Sequence, residues 1–510
     1  MVAGSRLAAH NSRLEIVETI LTFDIGTSAC KVCLWDARGT LLASADEAYP
    51  THHPQPDWAE QNPEDWWRAA VAAAKRCLAT GDPGRIAVLG LSSQREGVVL
   101  MGRDGRPLAP CIIWMDRRCR DQAVRLGEEF GVPFLHHHTG LPPDPNYTAC
   151  KLLWLREHQP ELLDQAARFF QTRDYVYHRL TGAEVTDLTL ASRTMMFDLR
   201  RHAWWPDIFR RVGVRPDQFP PIHRSDEAPY RLSRPAAEAL GLPDGIPVSL
   251  GAGDRACEGV GGGVFGHRVM DSTGTASNIS MTIDRLPEDL GRAPCSIHAT
   301  PGRWLLELGI TTSASVMRWF RELLDLPPEG LATLEHEAAA SPRGARNLLA
   351  APFFMGARSV RWNADARGLL LGLSLGHTRG DIARAIMEGV GYEARACLEG
   401  LRSLALGPGE VVAMGGAARS DLWIQIKADI LAVPILRPRY TEAASLGAAL
   451  LAARSVDLID DLDATAREWN PIQQTVAPDP EAVEFYAGRR ALYEDVYRAL
   501  TPLFPRLHAP

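Results

Sequence analysis

The stretch that most restricts how this chain can fold reads Leu21-Thr22-Phe23-Asp24-Ile25-Gly26-Thr27-Ser28-Ala29-Cys30-Lys31. Apolar residues over 18–24 and 30–36 predict two strands joined by a tight turn, and a third over 41–48 follows Arg38-Gly39. So apolar a hairpin is a buried one, yet its turn carries an acid, a glycine and two hydroxyls. Backbone N–H groups and hydroxyls at such a turn form a nest that suits phosphate. Gly26 lets the backbone come close, Thr27 and Ser28 donate hydrogen bonds, and Lys31 offsets phosphate charge. Asp24 would repel a phosphate unless a magnesium ion or its waters lie between them. The same residues also suit an ordinary polar turn, and this segment alone leaves both readings open.

A chain of 510 residues exceeds one ordinary core, so two or three domains are expected. Apolar (46%) and charged (23%) contents are those of a soluble globular protein, and a net charge of −7 argues against a nucleic-acid binder. No apolar run approaches the ~18 residues of a membrane span, and the first residues lack the apolar centre of a secretory signal. Residues 1–15 read as a disordered extension. Cys30 and Cys33 fall on opposite faces of a strand, where they cannot chelate together. The expectation for the nine cysteines is reduced, buried thiols in a cytoplasmic protein.

Further strands are expected at 86–92 and 97–101. Asn62-Pro63-Glu64-Asp65 opens a helix with an N-cap, a proline at the first helical position and two acids at the positive end. Trp66 and Trp67 read as packing. A Pro-rich stretch over 232–250 leads into the glycine cluster 251–263, after which the pattern starts afresh. Strands are expected near 268–282 and 303–310, and a helix from about Ser313. Thr378 and Asp381 are placed as a capping box ahead of Ile382, Ile386 and Val390 at helical spacing. Phe485, Leu492, Val496 and Leu500 give 481–500 an apolar face, and a domain boundary falls near Gly262.

Several motifs compete for the chemistry. A P-loop needs Gly-Lys-Ser/Thr, and none of Lys31, Lys75, Lys151 and Lys427 follows a glycine. The glycine cluster imitates a dinucleotide fingerprint through Gly251, Gly253 and Ala256, which makes a nicotinamide-dependent oxidoreductase the rival class. Asp254 counts against it, standing where that fingerprint presents bare backbone to pyrophosphate. Asp254 is better used as a general base that takes a proton from a substrate hydroxyl; a solvated acid in an interdomain turn is the plain alternative. Gly372-Leu373-Ser374-Leu375-Gly376 matches a hydrolase elbow, but only adjacent His377 and near-terminal His508 follow it, so it is set aside. His136-His137-His138 lacks a metal-ligand spacing or an obvious acidic partner and reads as a loop face. Hydroxyls around Gly274 repeat the chemistry of the first turn, and Gly415-Gly416 before a helix lets backbone lie against a ring or a phosphate. Three such turns plus an acid are what a nucleotide cleft between two domains requires.

Taken together, Asp24 to Ser28, Asp254, Gly274-Thr275 and Gly415-Gly416 resemble the FGGY carbohydrate kinases. The stretch 148–158 is similar to that family's first signature through Thr148, Lys151, Trp154, Glu157 and His158, with a departure at Asn146. The stretch 368–388 is similar to the second signature throughout, and the likeness runs from about residue 18 to 500. The resemblance implies an α/β fold of two ribonuclease-H-like domains of the actin-like ATPase superfamily, each a mixed sheet flanked by helices, with a cleft between them. They would span 16–262 and 263–470, followed by a helical tail over 471–510. It also implies ATP-dependent phosphorylation of a sugar or polyol hydroxyl with Mg2+, without nucleic acid or membrane, and leaves a homodimer open. By resemblance, Asp254 is the catalytic base and Asp24 the magnesium-associated acid. Gly26, Thr27, Ser28 and Lys31 form the first phosphate turn and Gly274 and Thr275 the second. Gly415, Gly416 and Ser420 lie on the adenosine side, with Ala314 and Arg318 as further nucleotide-side positions. A chaperone-like or actin-like switch that hydrolyses ATP without an acceptor is a second hypothesis; Asp254 beside a polar pocket speaks against it.

Arg95-Glu96 with Trp114 is similar to the acceptor site of glycerol kinases, where the charged pair holds hydroxyls and the tryptophan packs on carbon. A surface ion pair is the alternative. Asn146 stands where glycerol kinases carry tyrosine, and Arg255 where they carry glutamine. Typical xylulose kinases differ too, with Asp-Asn at the base and Met-His in place of Arg-Glu, although the stretches around 58–67 and 376–381 look like theirs. A longer ketose would use the space left by Asn146, with Arg255 reaching its extra oxygens. The expected acceptor is a pentulose such as xylulose or ribulose, ahead of glycerol or a short polyol, with autoinducer-type substrates third.

Overall fold

In the computed structural model, which describes residues 18–81 and 85–507, the opening hairpin is built as its apolar pattern predicts. Strand β1 (Glu18–Ile25) pairs antiparallel with β2 (Ala29–Asp36), and β2 with β3 (Leu41–Ala48). The sheet continues on the other side of β1 through parallel β4 (Arg85–Ser93), then β5 (Tyr230–Arg231), β6 (Pro247–Val248) and β7 (Ala252–Gly253). Among the described residues its order is β5-β6-β4-β1-β2-β3, with β7 also paired to β4. The edge strand β3 alternates exposed and half-buried residues, whereas β1 and β2 are covered on both faces. The expected extension at 1–15 lies outside the described residues.

Helix α1 (Pro63–Thr80) starts at Asn62, whose side chain accepts from the Glu64 N–H, and buries Trp66, Ala69, Ala70, Ala73 and Ala74 against one face of the sheet. Helix α2 (Thr148–His158) is buried along most of its length, and α3 (Asp254–Gly261) follows β7 directly. The segment expected as a strand over 97–101 shortens to Val99–Met101 and pairs with Arg168–Phe170 in a separate two-stranded ribbon. The three histidines sit on a short helix, Val132–Thr139, rather than a loop. His136 bonds to the Ala293 carbonyl and His138 to Asp198, an acidic partner far away in sequence. Among the described residues no cluster of three His, Cys, Asp or Glu could hold a metal by itself.

The second domain repeats the central strand arrangement of the first and differs at its edges. Strands β8 (Arg268–Thr273) and β9 (Ser277–Ile283) form its opening hairpin, followed by β10 (Cys295–Ile297), β11 (Trp304–Ile310), β12 (Glu410–Met414), β13 (Ile435–Pro438) and β14 (Ile472–Val476). The sheet order is β10-β11-β9-β8-β12-β13-β14, with β12 parallel to β8 as β4 is to β1. Its helices include α4 (Ala314–Leu323), α5 (Arg379–Ser403), α6 (Asp421–Leu431), α7 (Ala444–Ser455) and α8 (Pro480–Leu500). The capping box at α5 forms: Thr378 accepts from the Asp381 N–H, and Asp381 from the Thr378 N–H.

Two expectations are corrected here. Residues 471–510 are not a helical tail only, because β14 pairs with β13 as part of the sheet. The buried face of α8 is formed by Ala482, Tyr486 and Tyr493, with Val496 and Leu500 packed against the same core as expected, while Phe485 and Leu492 are exposed. Each tyrosine buries a large ring and satisfies its hydroxyl on a glutamate of α5, Tyr486 on Glu388 and Tyr493 on Glu393, both at 2.8 Å.

The domains interlock through α7. It belongs to the second half of the sequence yet covers the remaining face of the first sheet, packing Leu446, Ala448 and Ala449 against Ile20, Cys33, Trp35 and Val88. Cys30 faces the α1 side instead, so the two cysteines do lie on opposite faces. All nine cysteines are free and buried. Among the described residues no helix is long and apolar enough to cross a membrane.

Candidate active site

Three neighbouring parallel strands bring the predicted residues to one level. Strand β4 lies between β1 and β7, with Ser92 opposite both Asp24 and Ala252, and Ser93 opposite both Ile25 and Gly253. The turn at 26–28, Arg95-Glu96 and Asp254-Arg255 therefore leave the carboxyl ends of adjacent strands side by side, where open α/β sheets place their ligands.

At the hairpin turn, the Gly26 N–H donates to the Ala29 carbonyl at 3.0 Å and Tyr49 donates to the Gly26 carbonyl. The Thr27 carbonyl accepts from Gln61 at 2.6 Å, and the Thr27 hydroxyl accepts from the Trp114 indole at 3.0 Å. Gln61 also accepts from Trp66 and Gln94, so the Trp-rich segment braces this turn. Ser28 is exposed. Asp24 stands across the hairpin from Lys31, and its Oδ1 is buried without a hydrogen-bond partner. Burial pushes the Asp24 carboxyl up to about 6; Ser92 and Lys31 pull against this, and the charges of Asp254 and Glu258 add to it. An orphaned buried carboxylate oxygen among acids fits a divalent cation, which would ligate Asp24 and phosphate together rather than a protein cage. Lys31 reaches across to the second domain, 2.7 Å from Glu442, which also holds Arg419.

On the acceptor side the structure departs from a simple Arg95–Glu96 pair. Arg95 Nε lies 3.1 Å from Asp254 Oδ1, while its Nη1 and Nη2 donate to Glu307 Oε2 and Oε1 at 2.9 and 2.8 Å. Glu96 instead accepts from Arg193 Nε at 2.6 Å, and Arg193 Nη1 reaches Glu307 at 3.1 Å. The result is a chain Asp254–Arg95–Glu307–Arg193–Glu96 in which every member but Asp254 is buried, so the surface ion-pair alternative fails. Glu96 has φ 63°, a costly conformation for a residue with a Cβ. Buried Lys151, from the first signature, donates to the Glu96 carbonyl at 2.5 Å and so supports that turn.

Asn146 is buried with its Oδ1 unpartnered, and the adjacent Tyr147 hydroxyl is likewise buried and unpartnered, with the Arg193 guanidinium 5.2 Å from its ring. Arg255 points elsewhere than expected: its Nη1 donates to Glu258 at 2.7 Å and to Ser272 at 2.9 Å, on the strand before the second phosphate turn. A countercharge three residues along the same helix and a hydroxyl across the cleft hold it there.

In the second domain Ser272 is opposite Met414, so the turns at Gly274-Thr275 and Gly415-Gly416 also leave parallel neighbours at one level. Gly415 has φ 76°, and a Cβ there would lie 2.7 Å from the Thr273 carbonyl, so only glycine permits this approach. The Ala314 N–H donates to the Gly274 carbonyl at 3.1 Å, which seats α4 against the turn; Arg318 is exposed on that helix. Lys427 ties the strand end by donating to Asp271 and Thr273, both at 2.6 Å. Ser420 caps α6 by accepting from the Trp423 N–H and donates to Glu335 at 2.6 Å.

Two competing motifs find structural uses. Ser374 pairs with its neighbour His377 on an exposed turn, and the other ring nitrogen faces the Arg346 carbonyl rather than an acid. The glycines of the dinucleotide-like cluster serve close packing: a Cβ on Gly251 would meet the Leu91 carbonyl of β4 at 1.7 Å, and one on Gly261 the Ala443 carbonyl ahead of α7 at 2.1 Å.

Residues 19–261 match the N-terminal domain of the FGGY family of carbohydrate kinases, and residues 272–456 match its C-terminal domain. The chain is 31% identical over 490 residues to the xylulose kinase of Escherichia coli (strain K12), covering 94% of this chain and 99% of that one. It is equally 31% identical over 496 residues to a glycerol kinase of Thermococcus gammatolerans, covering 94% and 98%. A ligand-bound xylulose kinase structure from Lactobacillus acidophilus superposes with a TM-score of 0.90 at 26% identity, over 96% of this chain and 100% of the other. Two domains with the same central strand arrangement, a cleft edge at which both sets of turns emerge, and matches across nearly all the chain agree: the protein belongs to the FGGY family of carbohydrate kinases.

Proposed function

We propose that this kinase transfers the γ-phosphoryl group of ATP to a hydroxyl of a ketopentose of the xylulose type, with Asp254 as general base. The observation that carries this reading is the placement of Asp254 beside both the hairpin phosphate turn and Arg95, on three strands in register. Asp254 Oδ1 is occupied by Arg95 Nε and by the Arg255 N–H at 2.7 Å, which leaves Oδ2 to take the proton. The acceptor oxygen then attacks the γ-phosphorus in line and ADP leaves with the bridging electrons. Backbone at 26–28 and 274–275 and the Lys31 amine would orient the phosphate chain. Magnesium, bound through Asp24, would supply neutralisation of phosphate charge.

The xylulose-type acceptor is supported by the xylulose kinase relatives and by the small, unpartnered Asn146. Glycerol or a short polyol is the second reading, favoured by a glycerol kinase relative of equal identity and by Trp114 held at the turn by Thr27. ADP release measured across xylulose, ribulose, glycerol and short polyols decides between them. Stimulation by glycerol and not by ketopentoses would replace the first reading with the second. Turnover equal with and without any acceptor would instead indicate an ATP-hydrolysing switch.

A further inference from the structure

Glu307 lies 212 residues from Arg95 in sequence, on strand β11 of the opposite domain, and is 4% exposed. Its two oxygens together accept from three nitrogens: Nη1 and Nη2 of Arg95 and Nη1 of Arg193. Strand β10, β11's neighbour, is fastened to the first domain nearby, the Cys295 N–H donating to the Gly140 carbonyl at 2.8 Å and the Ile297 N–H to Ser192 at 3.0 Å. The carboxylate is therefore delivered across the domain boundary on a fixed strand.

We infer that Glu307 is a positioning residue for the acceptor pocket, clamping Arg95 and Arg193 so that Arg95 Nε is aimed at Asp254 and the pocket is complete only when the two domains are packed together. Guanidinium geometry makes this specific. Arg95 has five N–H donors in one plane; one goes to Asp254 and two to Glu307, which leaves two for acceptor hydroxyls. A fork–fork pair fixes that plane, whereas a single contact lets it rotate. Arg193, held from one side by Glu307 and from the other by Glu96, in turn sets the distance to Tyr147. None of these contacts reaches the nucleotide turns at 274–275 and 415–416.

This inference rests on the assignment of Asp254 as the base. The test is steady-state kinetics with the best acceptor from the panel, for Glu307→Gln, Glu307→Asp, Arg193→Lys and Asp254→Asn, each assayed at a temperature where circular dichroism shows it folded. Glu307→Gln is expected to lower kcat/KM for the acceptor about 10–100-fold, the scale of a lost charged hydrogen bond, while KM for ATP moves less than about twofold. Glu307→Asp, which keeps the charge but shortens the reach, should recover part of the loss. Arg193→Lys, which keeps the charge but loses the fork, should raise the acceptor KM without altering ATP affinity, and serves if Glu307→Gln does not fold. Equal changes in both KM values, or unaltered kinetics in Glu307→Gln beside an inactive Asp254→Asn, would overturn the clamp alone. Turnover retained in Asp254→Asn would remove the base assignment, and the clamp with it.

Discussion

The carboxylate of Asp254 has only one oxygen engaged, and that single fact sets what its replacement should do. Asparagine keeps the size of the side chain and its contacts to Arg95 but cannot accept a proton, so kcat should fall about 10²–10⁴-fold, the usual contribution of a general base. ATP affinity measured by calorimetry should stay within about threefold, because in the proposed role Asp254 acts on the acceptor and not on the nucleotide. Arg95→Lys separates the other half of the site. Lysine keeps a charge near Asp254 but cannot grip Glu307 with a planar fork, so the acceptor KM should rise about tenfold with ATP affinity unchanged. An unaltered acceptor KM would take Arg95 out of the pocket. Asp24, Gly26 to Ser28, Arg95 and Asp254 were legible as candidates in the sequence because each stands in a short local pattern, and the structure brings them to one edge of the sheet. Glu307, Arg193 and Tyr147 were not, because a glutamate in Leu305-Leu306-Glu307-Leu308 looks like any residue of a strand until its distant partners are placed. The pairing of Glu96 with Arg193 rather than Arg95 was misjudged for the same reason.

At the scale of elements, start and stop signals were read well and faces less so. Asn62 and Thr378 cap their helices as their spacing predicts, since a cap is a contact within four residues. The face of α8 was read half correctly: Val496 and Leu500 pack against the core, but Tyr486 and Tyr493 are buried in place of Phe485 and Leu492, which only the partner glutamates on α5 reveal. The glycine cluster was set aside as a dinucleotide fingerprint, with an interdomain turn as its plain alternative; in the structure Gly251 abuts Leu91 of β4, while Gly261 lets α3 approach the start of α7. Helices α3 and α7 approach so closely that a Cβ on Gly447 would lie 1.8 Å from the Cys257 carbonyl. That neighbour is backbone and cannot rotate away, so Gly447→Ala has to separate the helices. It should cost about 1–3 kcal/mol by overpacking, read as a lower midpoint in thermal unfolding, although alanine is the better helix former. An unchanged or raised midpoint would mean that the crossing is looser than the structure shows.

For the whole molecule, the domains are held together by α7 on one side and by the buried charge chain on the other, and the second hold depends on pH. Burial alone would push the Glu307 carboxyl up, but Arg95 and Arg193 overcome it and hold it at about 2. A carboxyl whose folded value lies below its unfolded one stabilises the fold fully above the unfolded value, near 4.5, and loses that contribution as pH falls toward 2. The shift corresponds to a few kcal/mol, on the order of 3, because each pKa unit is worth about 1.4 kcal/mol. Glutamine at 307 cannot titrate and also leaves two buried guanidinium groups short of a countercharge, so Glu307→Gln should be less stable than the native chain at neutral pH. The difference between the two proteins should be constant above about pH 5 and about 2 kcal/mol smaller at pH 3, once most of the linkage has been given up. Carboxyls that share no partner with Glu307 contribute equally to both proteins and cancel in that difference; Asp254 and Glu96, which share Arg95 and Arg193 with it, belong to the same linkage. Denaturant unfolding of native chain and variant from pH 7 to pH 3 measures it directly. A gap that stays level across that range would show that Glu307 does not hold the domains through its charge, and that the cohesion across the cleft comes from the packing of α7 and the remaining cross-domain hydrogen bonds.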